Sequence, residues 1–104
     1  MISATSRAYK EVEIVKWAEA RGILDKATRA SQYEKHVEEV GELGRALIEN
    51  DPVKIKDALG DVYVTIVLLA ALSNMSIGDC IDAAYQEIAG RKGKMVDGVF
   101  VKDD

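Results

Sequence analysis

The stretch Asp57-Ala-Leu-Gly-Asp61-Val-Tyr-Val-Thr-Ile-Val-Leu-Leu-Ala-Ala constrains the fold more than any other part of the chain. On a helix, apolar side chains at positions 62, 63, 64, 66, 67, 68 and 69 cover the whole circumference, which marks a central helix. Few and short companions in a chain of 104 residues cannot surround such a helix. The pattern therefore predicts that one side of it is covered by another subunit, in a homo-dimer or a higher oligomer. Asp57 and Asp61 are four residues apart, in line with Val64 and Leu68, and so are expected on a packed side. Buried negative charge is costly unless something offsets it. The expected offset is a bound metal ion.

Three further helices are read around this one. The first runs from about Ser6 to Arg21, with Ile14, Trp17 and Ala18 on its apolar side and Gly22 as its stop. The second opens at Ser31-Gln-Tyr-Glu34, a capping-box pattern, and continues to about Glu49. Its apolar stripe passes through Tyr33, Val37, Val40 and Leu47. Asp51-Pro52 starts the third, because aspartate caps well and proline suits the first helical position. That helix extends to about Ser73. Ser76 caps the fourth, whose Ile77, Ile81, Ala84, Tyr85 and Ile88 keep helical spacing until about Gly93. The tail Met95-Val-Asp-Gly-Val-Phe-Val101 places an Asp-Gly turn signal between short apolar runs. It is expected to be extended or a small hairpin, docked on the bundle or on a partner chain. The fold class is thus all-α: a four-helix bundle with a short extended C-terminal tail, in one domain spanning residues 1–104.

Glu38, Glu39 and Glu42 lie on the second helix. Glu39 and Glu42, three apart, are best placed to enter a groove, with Glu38 more peripheral. Carboxylates converging from two antiparallel helices form a hard, all-oxygen site suited to Mg²⁺ or Mn²⁺, ions that are often completed by substrate phosphates. Other classes are disfavoured. A net charge of −4 with no basic stripe argues against nucleic-acid binding. The apolar run at 62–72 is too short to span a bilayer, and no signal peptide is read at the N-terminus. The single Cys80 excludes an internal disulfide and suits a reducing cytoplasm. A di-iron bundle needs Glu-x-x-His motifs on two helices, and the chain has one histidine. A non-catalytic helical interaction or antitoxin-like module would explain the central helix but not the acids inside it.

The run Glu38-Glu-Val-Gly-Glu42-Leu, followed by Asp57-Ala-Leu-Gly-Asp61-Val, resembles the EExxE and ExxD signature of the MazG-like all-α nucleoside triphosphate pyrophosphohydrolases. The closing stretch Glu87-Ile-Ala-Gly-Arg-Lys-Gly-Lys-Met-Val-Asp-Gly-Val-Phe-Val101 resembles the end of small phage-type members. The resemblance implies a four-helix core that assembles as dimers or tetramers. It implies Mg²⁺-dependent cleavage of a (deoxy)nucleoside triphosphate to the monophosphate and pyrophosphate, or of a phosphoribosyl nucleotide in the same superfamily. It makes Glu39, Glu42 and Asp61 metal ligands and Glu38 a general base or a further ligand. The family's second-motif glutamate falls at Ala58, and Asp57 is expected to substitute. The family's Asn and Lys on the last helix correspond to Gln86 and Ala89, which shifts phosphate contacts to Arg91, Lys92 and Lys94.

Several single residues complete the expectation. Trp17, the only tryptophan, is a candidate wall for the nucleobase. Tyr63 and Tyr85 read as packing residues, His36 as a surface residue and Cys80 as a small core filler.

Overall fold

The structure, a computed structural model, describes residues 4–104, with side chains from residue 10 onward. The order is α1 (Ala4–Ala20), α2 (Ile23–Lys26), α3 (Arg29–Glu49), α4 (Pro52–Leu72), α5 (Ile77–Ala89), β1 (Gly93–Val96) and β2 (Val99–Lys102). The all-α class holds, with one addition: α2, a single turn that follows the left-handed Gly22 (φ 74°). Residues 1–3, the first of the stretch read for a leader, lie outside the described residues. No single helix among the described residues is long and apolar enough to cross a membrane.

Local chemistry sets most boundaries. Asp51 caps α4, its Oδ1 accepting from the backbone N–H of Val53 and Lys54, and Pro52 occupies the first turn. Asn50, left-handed at φ 54°, closes α3 immediately before it, so α3 and α4 form a tight antiparallel pair. The α3 start differs from expectation. The reciprocal capping box joins Thr28 and Ser31, not Ser31 and Glu34, and the helix begins at Arg29. Ser31 thus acts as the third helical residue, its hydroxyl doing the work more often given to glutamate or glutamine.

Packing gathers in two places. A small cluster of Val67, Ala70 and Ile77, with Ile14, Val15 and Ile66 against it, joins α1, α4 and the start of α5. Along the α3–α4 contact the buried residues recur every seventh position: Gln32, Glu39 and Ala46 on α3, Ala58 and Thr65 on α4. This face of α3 is small or polar. Its apolar stripe points the other way, with Tyr33, Val37, Val40 and Leu47 exposed by 58%, 52%, 44% and 56%. The expectation that this stripe enters the chain's own bundle is therefore corrected.

The C-terminal third is similarly open. β1 and β2 pair antiparallel, Gly93 opposite Lys102 and Val96 opposite Val99, through an Asp97-Gly98 turn with both φ angles positive. Gly93 is required by close approach, since a Cβ there would lie 2.3 Å from the Val101 carbonyl oxygen. Among the described residues the hairpin packs on no helix. Every residue from 79 onward is exposed, including Cys80 and Tyr85. Cys80 is therefore not a core filler, nor Tyr85 a packing residue within this chain, while Tyr63 sits at the edge of exposure.

One polar clamp ties α1 to α5. Ser76 caps α5 by accepting from the Gly78 N–H, and its own hydroxyl donates to Glu11 at 2.7 Å. Glu11 also accepts from the Gly78 N–H at 3.4 Å, which sets a negative charge at the positive end of the α5 dipole. Replacing Ser76→Ala is expected to cost about 1 kcal/mol in a urea unfolding series, through loss of the cap. Equal midpoints for the two proteins would show that the clamp carries no stability.

Candidate metal centre

Glu39 is the pivot of the polar α3–α4 face. It is 8% exposed, and its Oε2 is buried with no hydrogen-bond partner. Its Oε1 lies 3.4 Å from the Lys35 ammonium, one turn earlier. Glu42 follows on the same helix and Asp61 enters from α4. One carboxylate oxygen from each of Glu39, Glu42 and Asp61 lies within 4.8 Å of the others. Three negative groups this close repel one another unless a cation joins them.

The titration of the neighbours carries that repulsion. Burial, then the charges of Asp57 and Glu39, push the Asp61 carboxyl above its ordinary range, with Lys35 acting in the opposite sense. The hydrogen bond to Glu39, then the charge of Glu38 and of Glu39, hold the Lys35 ammonium above the usual lysine range. The site thus favours positive charge from either a lysine or a guest ion. An all-oxygen set on two packed helices, with one carboxylate oxygen left unpaired, fits Mg²⁺ or Mn²⁺.

Of the cavities that the trio lines, two carry most of its polar neighbours. One, of about 390 Å³, has Glu39, Asp61 and Lys35 at its polar side and Trp17, Ile23, Val64 and Leu68 as apolar walls, with Gln32 and Thr65 between. The other, of about 270 Å³, holds Glu42 with Arg45, Glu49, Lys54, Asp57 and Ala58. Between them the two cavities take in all three acids of the trio.

The remaining sequence candidates are distributed more widely. Glu38 is exposed and outside the trio, its Oε1 3.8 Å from Lys35. Asp57 is also outside it. It is exposed rather than on a packed side, lines the smaller cavity, and reaches Asp61 through its charge. Ala58, at the family's glutamate position, is buried. Trp17 lines the larger cavity, with the Arg21 guanidinium 4.6 Å over its ring. Arg91 pairs with Glu87 at 3.3 Å, and Lys92 and Lys94 are exposed; none of the three lines either cavity.

Lys35, Gln32 and Thr65 escape the sequence reading. The signals are spacings: Lys35 is four residues before Glu39 and Gln32 seven, so both share its side of α3. His36 is half-buried rather than a free surface group, its Nδ1 2.8 Å from the Thr65 hydroxyl.

The family model of the MazG nucleotide pyrophosphohydrolase domain matches residues 27–96. The chain belongs to this family. The matched part of the MazG domain contains α3, α4 and α5 with the whole carboxylate trio, and begins after Trp17. A relative is the "Uncharacterized 18.2 kDa protein in rep-hol intergenic region" of Haemophilus phage HP1, 42% identical over 57 residues. That alignment spans 55% of this MazG chain and 35% of the phage protein. No solved structure matches the chain.

The raised Asp61 value gives a signed expectation for the metal-free domain. Its folded form holds the proton more tightly than the unfolded chain does. The associated stability is intact below the ordinary aspartate range and is lost as pH rises through that range to the raised value. Asp61→Asn should therefore melt higher than the parent at about pH 7 without metal, the gap closing near about pH 3. Saturating Mg²⁺ should reverse the order. An Asn variant that melts lower than the parent at neutral pH without metal would contradict this electrostatic account.

Proposed function

We propose that this MazG domain is a Mg²⁺-dependent pyrophosphohydrolase, converting a (deoxy)nucleoside triphosphate to the monophosphate and pyrophosphate. The observation that carries the reading is the Glu39–Glu42–Asp61 trio, with its orphaned Glu39 oxygen, opening onto a cavity with an aromatic wall. Ligand cavities of a few hundred Å³ with apolar walls and few polar groups suit a flat organic moiety. The nucleoside would lie along Trp17, with its phosphates toward the acids.

Glu39, Glu42 and Asp61 would hold Mg²⁺, or Mn²⁺ in its place. Such an ion neutralises charge on phosphate oxygens and lowers the pKa of a bound water. Glu38, outside the trio, is assigned as the base that takes the proton of the attacking water. Asp57, on the smaller cavity, is assigned to an outer ion or to its waters. Lys35, at present turned to Glu39, is free to follow a phosphate once a cation occupies the acids. Arg45 and Lys54 border the smaller cavity and would meet the departing pyrophosphate.

A homo-oligomer, dimer or tetramer, belongs to the same proposal. The exposed stripe on α3, the exposed Ile81, Tyr85 and Ile88 of α5, and the undocked hairpin together leave much apolar surface in water. The radius of gyration, 16.1 Å, exceeds the roughly 13 Å of a compact chain of about 100 residues. Assembly would cover these faces, and it would give Arg91, Lys92 and Lys94 a neighbour's site to act on. Cytoplasmic placement accords with a nucleotide substrate and with the lone Cys80.

Pyrophosphate release should be measured with Mg²⁺ across the common NTPs and dNTPs. Glu39→Gln should lower turnover by at least about 100-fold while staying folded, as loss of a direct ligand implies. Turnover of no nucleotide, or full activity in the variant, would overturn the reading. Sedimentation of a Val37→Glu, Val40→Glu double variant should show a monomer where the parent is a dimer or tetramer; a monomeric parent would refute the assembly.

A further inference from the structure

Gln32 is 8% exposed and lines the larger cavity, two helical turns before Glu39 on the same side of α3. Its carboxamide has no hydrogen-bond partner among the described residues. Among the described residues only Glu39 Oε2 is both fully enclosed and unpaired, so the amide atoms of Gln32 keep access to the cavity that the residue lines. On a wall shared with Ile23, Trp17 and Leu68, a primary amide with no protein partner offers both its donor and its acceptor to whatever occupies the cavity. The side chain is thus arranged for a ligand that supplies the missing bonds.

Thr65, opposite on α4, is constrained in a complementary way. Its Oγ1 lies 2.6 Å from the Val62 carbonyl and 2.8 Å from His36 Nδ1. The carbonyl can only accept, so the hydroxyl proton goes to it. His36 Nδ1 must then carry its own proton and donate to Oγ1. The Thr65 hydroxyl has no donor left to offer, and the His36 bond fixes it in place. The selective polar group on this wall is therefore Gln32, which provides both a donor and an acceptor.

Seven residues along α3 amount to about 10 Å, comparable with the length of a nucleoside. We propose that Gln32 determines base specificity: its carboxamide pairs with the hydrogen-bonding edge of a nucleobase lying against Trp17, while the phosphates extend to Glu39 and Asp61. This rests on the nucleotide reading given above. Sites that hydrogen-bond a polar edge discriminate strongly, because a mismatched edge leaves a buried group unpaired.

The test compares the parent with Gln32→Leu and the near-isosteric Gln32→Glu. Hydrolysis of each dNTP gives kcat and KM. Quenching of Trp17, the sole tryptophan, by nucleoside monophosphates in a metal-free chelating buffer gives binding independently of activity. Gln32→Leu should lower the best-to-worst ratio of kcat/KM among bases by about tenfold or more, through KM rather than kcat. Its quenching constants should become alike for all bases. Gln32→Glu, which loses the donor, should shift preference toward bases that present an amino group. Should both variants scale all bases equally, or Gln32→Leu keep the parent's selectivity, the assignment is overturned while pyrophosphohydrolase activity stands. Conversely, a parent that hydrolyses nothing but shows base-dependent quenching abolished by Gln32→Leu would uphold Gln32 and overturn the catalytic reading.

Discussion

A carboxylate in a helix–helix contact organises this molecule. Glu39 occupies the heptad position between Gln32 and Ala46 and faces Ala58 and Thr65 across a narrow seam. Along this contact one Glu39 oxygen is buried with no hydrogen-bond partner. Asp61 and Glu42 add charge of the same sign within 4.8 Å. Lys35 compensates only part of it, from one end. The seam is therefore less stable than an apolar one would be, and the deficit is confined to the place where a divalent ion would reverse it.

The polar seam explains an inversion in α3. A helix of an isolated bundle turns its apolar stripe inward. Here the buried residues are a glutamine, a glutamate and an alanine, while Tyr33, Val37, Val40 and Leu47 are exposed. The same division recurs in α5, which is anchored by Ile77 and its Ser76 cap but leaves Ile81, Tyr85 and Ile88 exposed. Polar contacts within the chain and apolar faces left exposed on it accord with the proposed assembly, which would complete the hydrophobic burial. In such an assembly the cost of the polar lining of the carboxylate site would be offset at the subunit contacts.

This division also marks what was legible in the sequence. Caps and turns were, because they depend on neighbours in the chain: Asp51-Pro52, Ser76 and Asp97-Gly98 all sit where local chemistry puts them. The helical spacing of Glu39 and Glu42, and the cost of Asp61 in an apolar run, pointed to acids that the fold gathers. Periodicity could not say whether an apolar stripe meets its own chain or another, so the α3 stripe was turned the wrong way. Cys80 and Tyr85 were misplaced for the same reason. His36 and Gln32 were missed because their surroundings come from α4, about thirty residues away in sequence, through contacts that no local pattern encodes. The Thr28–Ser31 capping box was displaced by one helical turn because Ser31 suits either role.

The central claim is that the trio holds a divalent cation without help from substrate. A Mn²⁺ titration of the nucleotide-free protein, followed by the loss of the free-ion electron paramagnetic resonance signal, tests it directly. The account predicts saturable binding that Mg²⁺ displaces, with a large loss of affinity when Glu39 becomes glutamine and little change when the exposed Glu34 does. Free-ion signal rising linearly from the first addition, as if no site were present, would contradict it.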